Sequence, residues 1–200
     1  MCIRDSSNTG SSATSAGGGL VDSQGNWDNS SDYRYLFYES SSGGSSTSTV
    51  YRHLVTLPEI DLSDYTNCRV KFWFHCYGSA FGSDAGFGVA ATTSATSSSS
   101  ADQAGSGLGF TSDTAGGADI TYIAHGVEVT TKRIGSAGQV HTSGHNTSLN
   151  SNNLWIQAEA NIDGANSESS VYVHLAFFTK ATTPNYTQDF CVDSIQIIAS

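Results

Sequence analysis

The chain has 200 residues, enough for one domain or for one domain with a tail. Its hydrophobic fraction is 38%, and Ser, Thr, Gly, Asn and Ala dominate the rest, a mixture that suits short strands joined by long polar loops. Eight Lys and Arg stand against 18 Asp and Glu, a formal net charge of −10; this repels phosphate backbones, so no nucleic acid is expected as a partner.

Residues 1–19 are Ser/Gly/Thr-rich and are expected as a disordered segment or linker, leaving 20–200 as the folded domain. The opening MCIRDS resembles a translated adapter and is set aside. No apolar h-region of a signal peptide stands in the first twenty residues. Trp27 sits among turn formers. Strands are then expected at Tyr33–Glu39 and Val50–Leu57. A polar connector follows, PEIDLSDYTN, with Ile60 and Leu62 as apolar anchors.

The strongest strand is CRVKFWFHCY, 68–77. Cys68, Val70, Phe72, Phe74 and Cys76 share one face and read as core. Arg69, Lys71, Trp73, His75 and Tyr77 share the other, which is free to face solvent, a loop or a partner. Further strands are expected at 86–92, Ile120–Ile123, Val127–Ile134, Leu154–Ala160, Val171–Thr179 and Phe190–Ile198, with a weak one near Leu108–Phe110. No amphipathic helical stripe and no run of about 18 apolar residues occurs, so membrane insertion is not expected. Eight or nine short strands imply an all-β fold of two packed antiparallel sheets.

The four cysteines, Cys2, Cys68, Cys76 and Cys191, include no CxxC pair. Cys68 and Cys76 lie about 26 Å apart along a straight strand, too far for a disulfide, and read as buried thiols.

Two segments carry a family likeness. LPEIDLSDYTNCRVKFWFHCYGS resembles the centre of the MAM domain family, where an "IDLS"-like connector leads into a "FWYHMYG" strand and a glycine turn. QDFCVDSIQI resembles that family's closing strand, "DIAIDDI". YRYLFYESSS and GQVHTSGHNTSLNSNNLWIQAEANI, which contains Trp155, add weaker matches. The likeness runs from about Tyr33 to Ile198. It implies a jelly-roll sandwich, related in shape to concanavalin-like lectins and glucanases, with roles in adhesion, assembly or recognition and no catalytic residues. Similar modules occur in animal ectodomains and in marine bacterial and phage surface proteins. The family's opening segment and cysteine pairs are not matched here.

Candidate chemistry is sparse. Glu59-Ile60-Asp61-Leu62-Ser63-Asp64 approaches the E-I-D-x-x-E motif of laminarinase-like glycoside hydrolases, whose two carboxylates share one strand face. Here the last acid is one methylene shorter and a turn follows, so a structural connector is expected. Asp32 and Glu39 near the first strand, with Asp189 and Asp193 in the last, form a candidate Ca2+ set, against the alternative of solvated acids at strand ends. Asp189 and Asp193 also match by motif position. His141 and His145 flank Ser-Gly, which forbids a stable helix, and read as loop histidines. His75 and His174, inside strands, read as hydrogen-bonded structural histidines. His75 accompanies Trp73 on the polar face, where both are candidates for contact with a ligand, against the alternative that Trp73, like most aromatics of a sandwich, is simply packed; Trp155 reads as core.

The expected function is a non-catalytic recognition or adhesion module, extracellular or on a virion surface, such as a phage tail or capsid-decorating protein. Its partner would be a surface glycan or protein, or further copies in a homo-oligomer or virion assembly. The alternatives are a carbohydrate-binding module appended to a polysaccharide enzyme and, less favoured, a glycoside hydrolase.

Overall fold

The computed structural model describes residues 4–5, 20–21, 27–28, 34–38, 50–77, 85–93, 117–124, 127–132, 134, 156–180 and 189–200. Within them are twelve strands: β1 (Arg4–Asp5), β2 (Leu20–Val21), β3 (Trp27–Asp28), β4 (Arg34–Tyr38), β5 (Val50–Thr56), β6 (Cys68–Tyr77), β7 (Ala85–Thr92), β8 (Ile120–Ala124), β9 (Val127–Thr131), β10 (Ile156–Asn161), β11 (Tyr172–Lys180) and β12 (Asp189–Ala199). One 3-10 turn covers Asp163–Ala165. The order β1-β4-β12-β6-β10-β8-β9 makes a seven-stranded sheet, β5-β11-β7 a three-stranded one, and β2 pairs with β3. Every strand pairing is antiparallel. The larger sheets pack as an all-β sandwich, and from β4 to β7 successive strands belong to alternate sheets.

The period of two in β6 explains its central place. Cys68, Val70, Phe72 and Phe74 are fully buried, while Arg69, Lys71 and Trp73 are half-exposed. Register carries this alternation sideways. Phe72 lies opposite Ala158 of β10, which lies opposite Tyr122 of β8, and both neighbours are buried. From the small sheet come Phe87 and Val89 of β7 with Val173, Leu175 and Phe177 of β11. Phe72 meets Phe87 edge-on at 5.3 Å between ring centroids, and Phe87 meets Phe177 at 5.0 Å. Such contacts contribute about 0.5–1.5 kcal/mol beyond the area they bury.

The connector from Leu57 to Asn67 closes one end. Ile60 bridges Val171 through paired backbone bonds of 2.9 Å, and the Leu62 amide donates to Glu168 O at 2.9 Å. Leu62 is buried and Ile60 half-buried, so both expected anchors reach the core. The Thr66 and Asn67 amides both donate to Ser200 O at 3.1 Å. Cys68 is a buried free thiol whose pKa burial pushes up.

Two departures from simple alternation stand out. The expected strand Val127–Ile134 stops at Thr131, and Ile134 pairs instead with Phe87 of the other sheet. The reason is burial: Ile134 is fully enclosed there, while Val127, in the same expected strand, stays 63% exposed. The second departure lies within β12. Asp193 is opposite Trp73, but Gln196 is opposite Lys71, so one extra residue is inserted between them. Ser194 takes a left-handed φ of 50°, and its amide donates to Asp193 Oδ1 at 2.7 Å. This bulge resets the phase of the strand. Val192 points inward before it; Ile195, Ile197 and Ala199 pack on the core after it. Unbroken alternation would have turned Ser194 and Gln196 inward.

The segment near Leu108–Phe110 lies outside the described residues. Arg4–Asp5 pair with Arg34 and Tyr35, within the stretch set aside on composition.

Two outcomes follow for urea denaturation. Phe72→Ala lowers the unfolding free energy by about 3–5 kcal/mol, the usual cost of emptying a buried aromatic site. Deletion of Ser194 removes the phase reset and abolishes the cooperative transition, whereas Ser194→Gly, which fits a left-handed φ without strain, stays within about 1 kcal/mol of the parent.

Candidate functional site

The outer face of the seven-stranded sheet is built by the same register that builds the core. Directly opposite residues in an antiparallel pair lie on one side of the sheet. One row therefore runs Asp193–Trp73–Gln157 across β12, β6 and β10. The next runs Gln196–Lys71–Glu159–Thr121–Thr130 from β12 to β9, and a third Ile198–Arg69–Asn161. Trp73, Lys71, Arg69, Gln157, Glu159, Asp193 and Gln196 are all half-buried. The indole sits mid-sheet with an amide on one flank and a carboxylate on the other.

Charge on this face is balanced. Arg69 and Lys71 stand against Glu159 and Asp193, although the whole chain carries −10. Arg69 Nη1 donates to Glu159 Oε2 at 3.0 Å, with both side chains about two-fifths exposed. Solvent screens such a pair, so it orients the two groups more than it stabilises the fold. Thr121 and Thr130 join their hydroxyls at 3.0 Å. The result is a shelf of amides, hydroxyls and paired charges around one aromatic plane, able to accept and donate hydrogen bonds to a neutral, hydroxyl-bearing ligand.

The other sequence candidates fall as follows. Glu59 and Asp61 lie in the connector, outside any strand. Glu59 Oε1 accepts from Ser170 Oγ at 2.6 Å, and the hydroxyls of Ser170 and Tyr172 hold its pKa below the usual value. Asp61 Oδ1 accepts from the Ser63 amide at 3.0 Å and the Ser63 hydroxyl at 2.7 Å, which lower its pKa likewise. Asp61 is held in a local turn, whereas Glu59 ties the connector to the segment before β11 through Ser170, 111 residues away.

β4 and β12 are neighbours, as the calcium idea required. Asp189 and Asp193 stand four residues apart on β12, about 13 Å along an extended strand. Asp32 and Glu39 lie outside the described residues, as do the side chains of Asp189 and His75; the His75 backbone is opposite Cys191. Among the described residues no group of three or more His, Cys, Asp and Glu is gathered for a metal. His141, His145 and Trp155 also lie outside the described residues.

His174 is fully buried in β11. Its Nδ1 is 2.9 Å from Thr56 Oγ1 and its Nε2 is 2.8 Å from Thr92 Oγ1. A neutral ring satisfies both, donating through one nitrogen and accepting through the other. This is the structural histidine that the strand position implied. Burial holds its pKa below the usual histidine value.

Residues around a recess at the connector end of the sandwich were not singled out by any motif. Asp119, Lys132, Asn161 and Asp163 stand on its rim, each in an ordinary polar turn or strand end that carries no sequence signal of its own.

The fold and this site define the class, an antiparallel β-sandwich with a polar, tryptophan-centred outer face. A scan of protein-family models finds no match for the chain, and a search of curated proteins finds no relative. The likeness to MAM domains rests on the motifs quoted for it. No helix among the described residues is long and apolar enough to cross a membrane, a statement that does not bear on β-barrels.

The buried imidazole sets a pH dependence. The unfolded chain binds a proton at His174 near pH 6.5, whereas the folded chain does so only at lower pH. Stability present at neutral pH is therefore lost as the pH falls from about 6.5 toward the folded value. Urea midpoints measured across this window shift downward in the parent, and His174→Gln flattens that part of the slope while lowering stability at neutral pH.

Proposed function

We propose that this chain is a non-catalytic recognition module working outside the cell or on a virion surface, and that it holds its ligand against the outer face of the seven-stranded sheet. The observation that carries the reading is the half-buried Trp73, set between Gln157 and Asp193 and backed by the rigid Phe72–Phe74 strand. A flat aromatic on a strand loses little entropy on binding and presents apolar area within a polar shelf. The neighbouring amides and hydroxyls supply orientation, and the balanced charge favours a neutral ligand. Support for a surface role comes from the MAM-like connector, central strand and closing strand, and from the engagement of the Glu59 and Asp61 carboxylates with the hydroxyls of Ser170 and Ser63.

The same face also favours a second reading, a carbohydrate-binding module attached to a polysaccharide enzyme, because amides and hydroxyls around an indole suit sugar rings. A glycan array and binding to intact microbial cells distinguish the two. Under the first reading the chain binds cell surfaces or assembles with virion proteins. Under the second it binds purified polysaccharide.

In either assay Trp73→Ala and Lys71→Ala reduce binding by about tenfold or more while the melting temperature of each variant stays near that of the parent. Retention of full binding by Trp73→Ala would place the ligand elsewhere.

A further inference from the structure

The end of the sandwich formed by β7, β8, β10 and the 3-10 turn carries a recess of about 280 Å³. Its walls differ in chemistry from its floor. The floor is apolar and closely packed: Ala90 is 5% exposed and Ile162 3%, with Ala91 and Ala118 beside them. The rim is polar and sorted into two pairs. On one side Lys132 Nζ lies 3.3 Å from Asp119 Oδ1 and donates to Gly117 O at 3.1 Å. On the other, Asn161 Nδ2 donates to Asp163 Oδ2 at 2.9 Å.

The backbone beneath these groups is tied from several directions. The Ala118 amide donates to Val89 O at 2.8 Å, the Asn161 amide to Asp119 O at 2.9 Å, and the Ile162 amide to Cys68 O at 3.0 Å. The rim is thus organised before any ligand arrives, which lowers the ordering cost of binding. Two glycines line it. Gly117 holds a φ of 130°, a conformation that favours glycine and delivers its carbonyl to Lys132. At Gly164 an added Cβ would meet no atom within 4 Å, so space begins immediately beyond the backbone.

We propose that this recess binds one neutral sugar ring, at a site separate from the sheet face and independent of it. A pyranose has an apolar face of C–H groups and a perimeter of hydroxyls that both donate and accept. The recess offers the complement: an apolar floor, two carboxylates as acceptors, and an ammonium and an amide as donors. Its volume lies near the lower end of small-molecule sites, about 300 Å³, which suits a single ring and not a length of chain. The rim carries one net negative charge from Asp119, Asp163 and Lys132, and the whole molecule carries −10, so phosphate and sulfate are repelled. Lys132 beside Asp119 works against capture of a cation.

Saturation-transfer NMR on the full chain with methyl glycosides of glucose, galactose, mannose and N-acetylglucosamine tests this. At least one glycoside is expected to show saturable transfer. Gly164→Trp, which projects an indole into the open space, abolishes it, and Asp119→Asn weakens it by about tenfold. All of these measurements are made in the Trp73→Ala background, so that transfer at the sheet face does not contribute. Asp163→Ala serves as the second rim variant if Gly164→Trp does not fold. Absence of transfer with all four glycosides overturns the proposal. So does transfer that survives both a folded Gly164→Trp and Asp119→Asn, or displacement of the signal by inorganic phosphate or by Ca2+.

Discussion

The edge-on contact of Phe72 with Phe87 is the point at which the two sheets are held together. Each ring belongs to a different sheet, and each is fully buried. Phe177 extends the stack within the small sheet, and Phe74 continues it along β6 to Tyr122 at 5.3 Å. Close packing of this kind leaves little freedom in the backbone spacing of the strands that carry the rings. The outer face inherits that rigidity, because the residues between the buried ones on β6 are Lys71 and Trp73.

One strand therefore performs two tasks through its pleat. The inward side of β6 supplies the apolar area that stabilises the sandwich, at about 1.5–3 kcal/mol for each fully buried large side chain. The outward side supplies Arg69, Lys71 and Trp73, whose neighbours on β10 and β12 offset the cationic charge. Substitution on the outer side has small consequences for folding, since its ion pair is solvent-screened and its other groups are polar.

Much of this was legible from alternation alone. β6, β7, β11 and β12 were each anticipated within about two residues, because their apolar residues recur with a period of two and are bounded by glycine or polar turns. The connector was legible too: Ile60 and Leu62 announced themselves as isolated apolar anchors in a polar stretch. Trp73 could be placed on the polar face, though its flanking partners could not, since register depends on residues 80 to 120 positions away in the chain. Ile134 was misassigned because an apolar residue three beyond Thr131 fits an extended strand as well as it fits a crossing to the opposite sheet. The acids of the calcium set are grouped by the nearness of their strands, and of the four only the Asp193 side chain lies among the described residues. The recess was not readable at all, as its members come from four short segments with no shared motif.

The bulge at Ser194 has a further effect on the outer face. An extra residue on one strand bends it and increases its local twist. Asp193 remains in step with Trp73, and Gln196 is in step with Lys71, but three backbone units on β12 span the distance that two cover on β6. The two outer rows are consequently offset by a step at their β12 margin and do not continue as parallel lines. A ligand lying flat across both would meet a ledge there, so the face has a handed, directional shape even though its charges cancel. Two molecules with identical hydroxyl patterns but opposite chain polarity would not fit it equally.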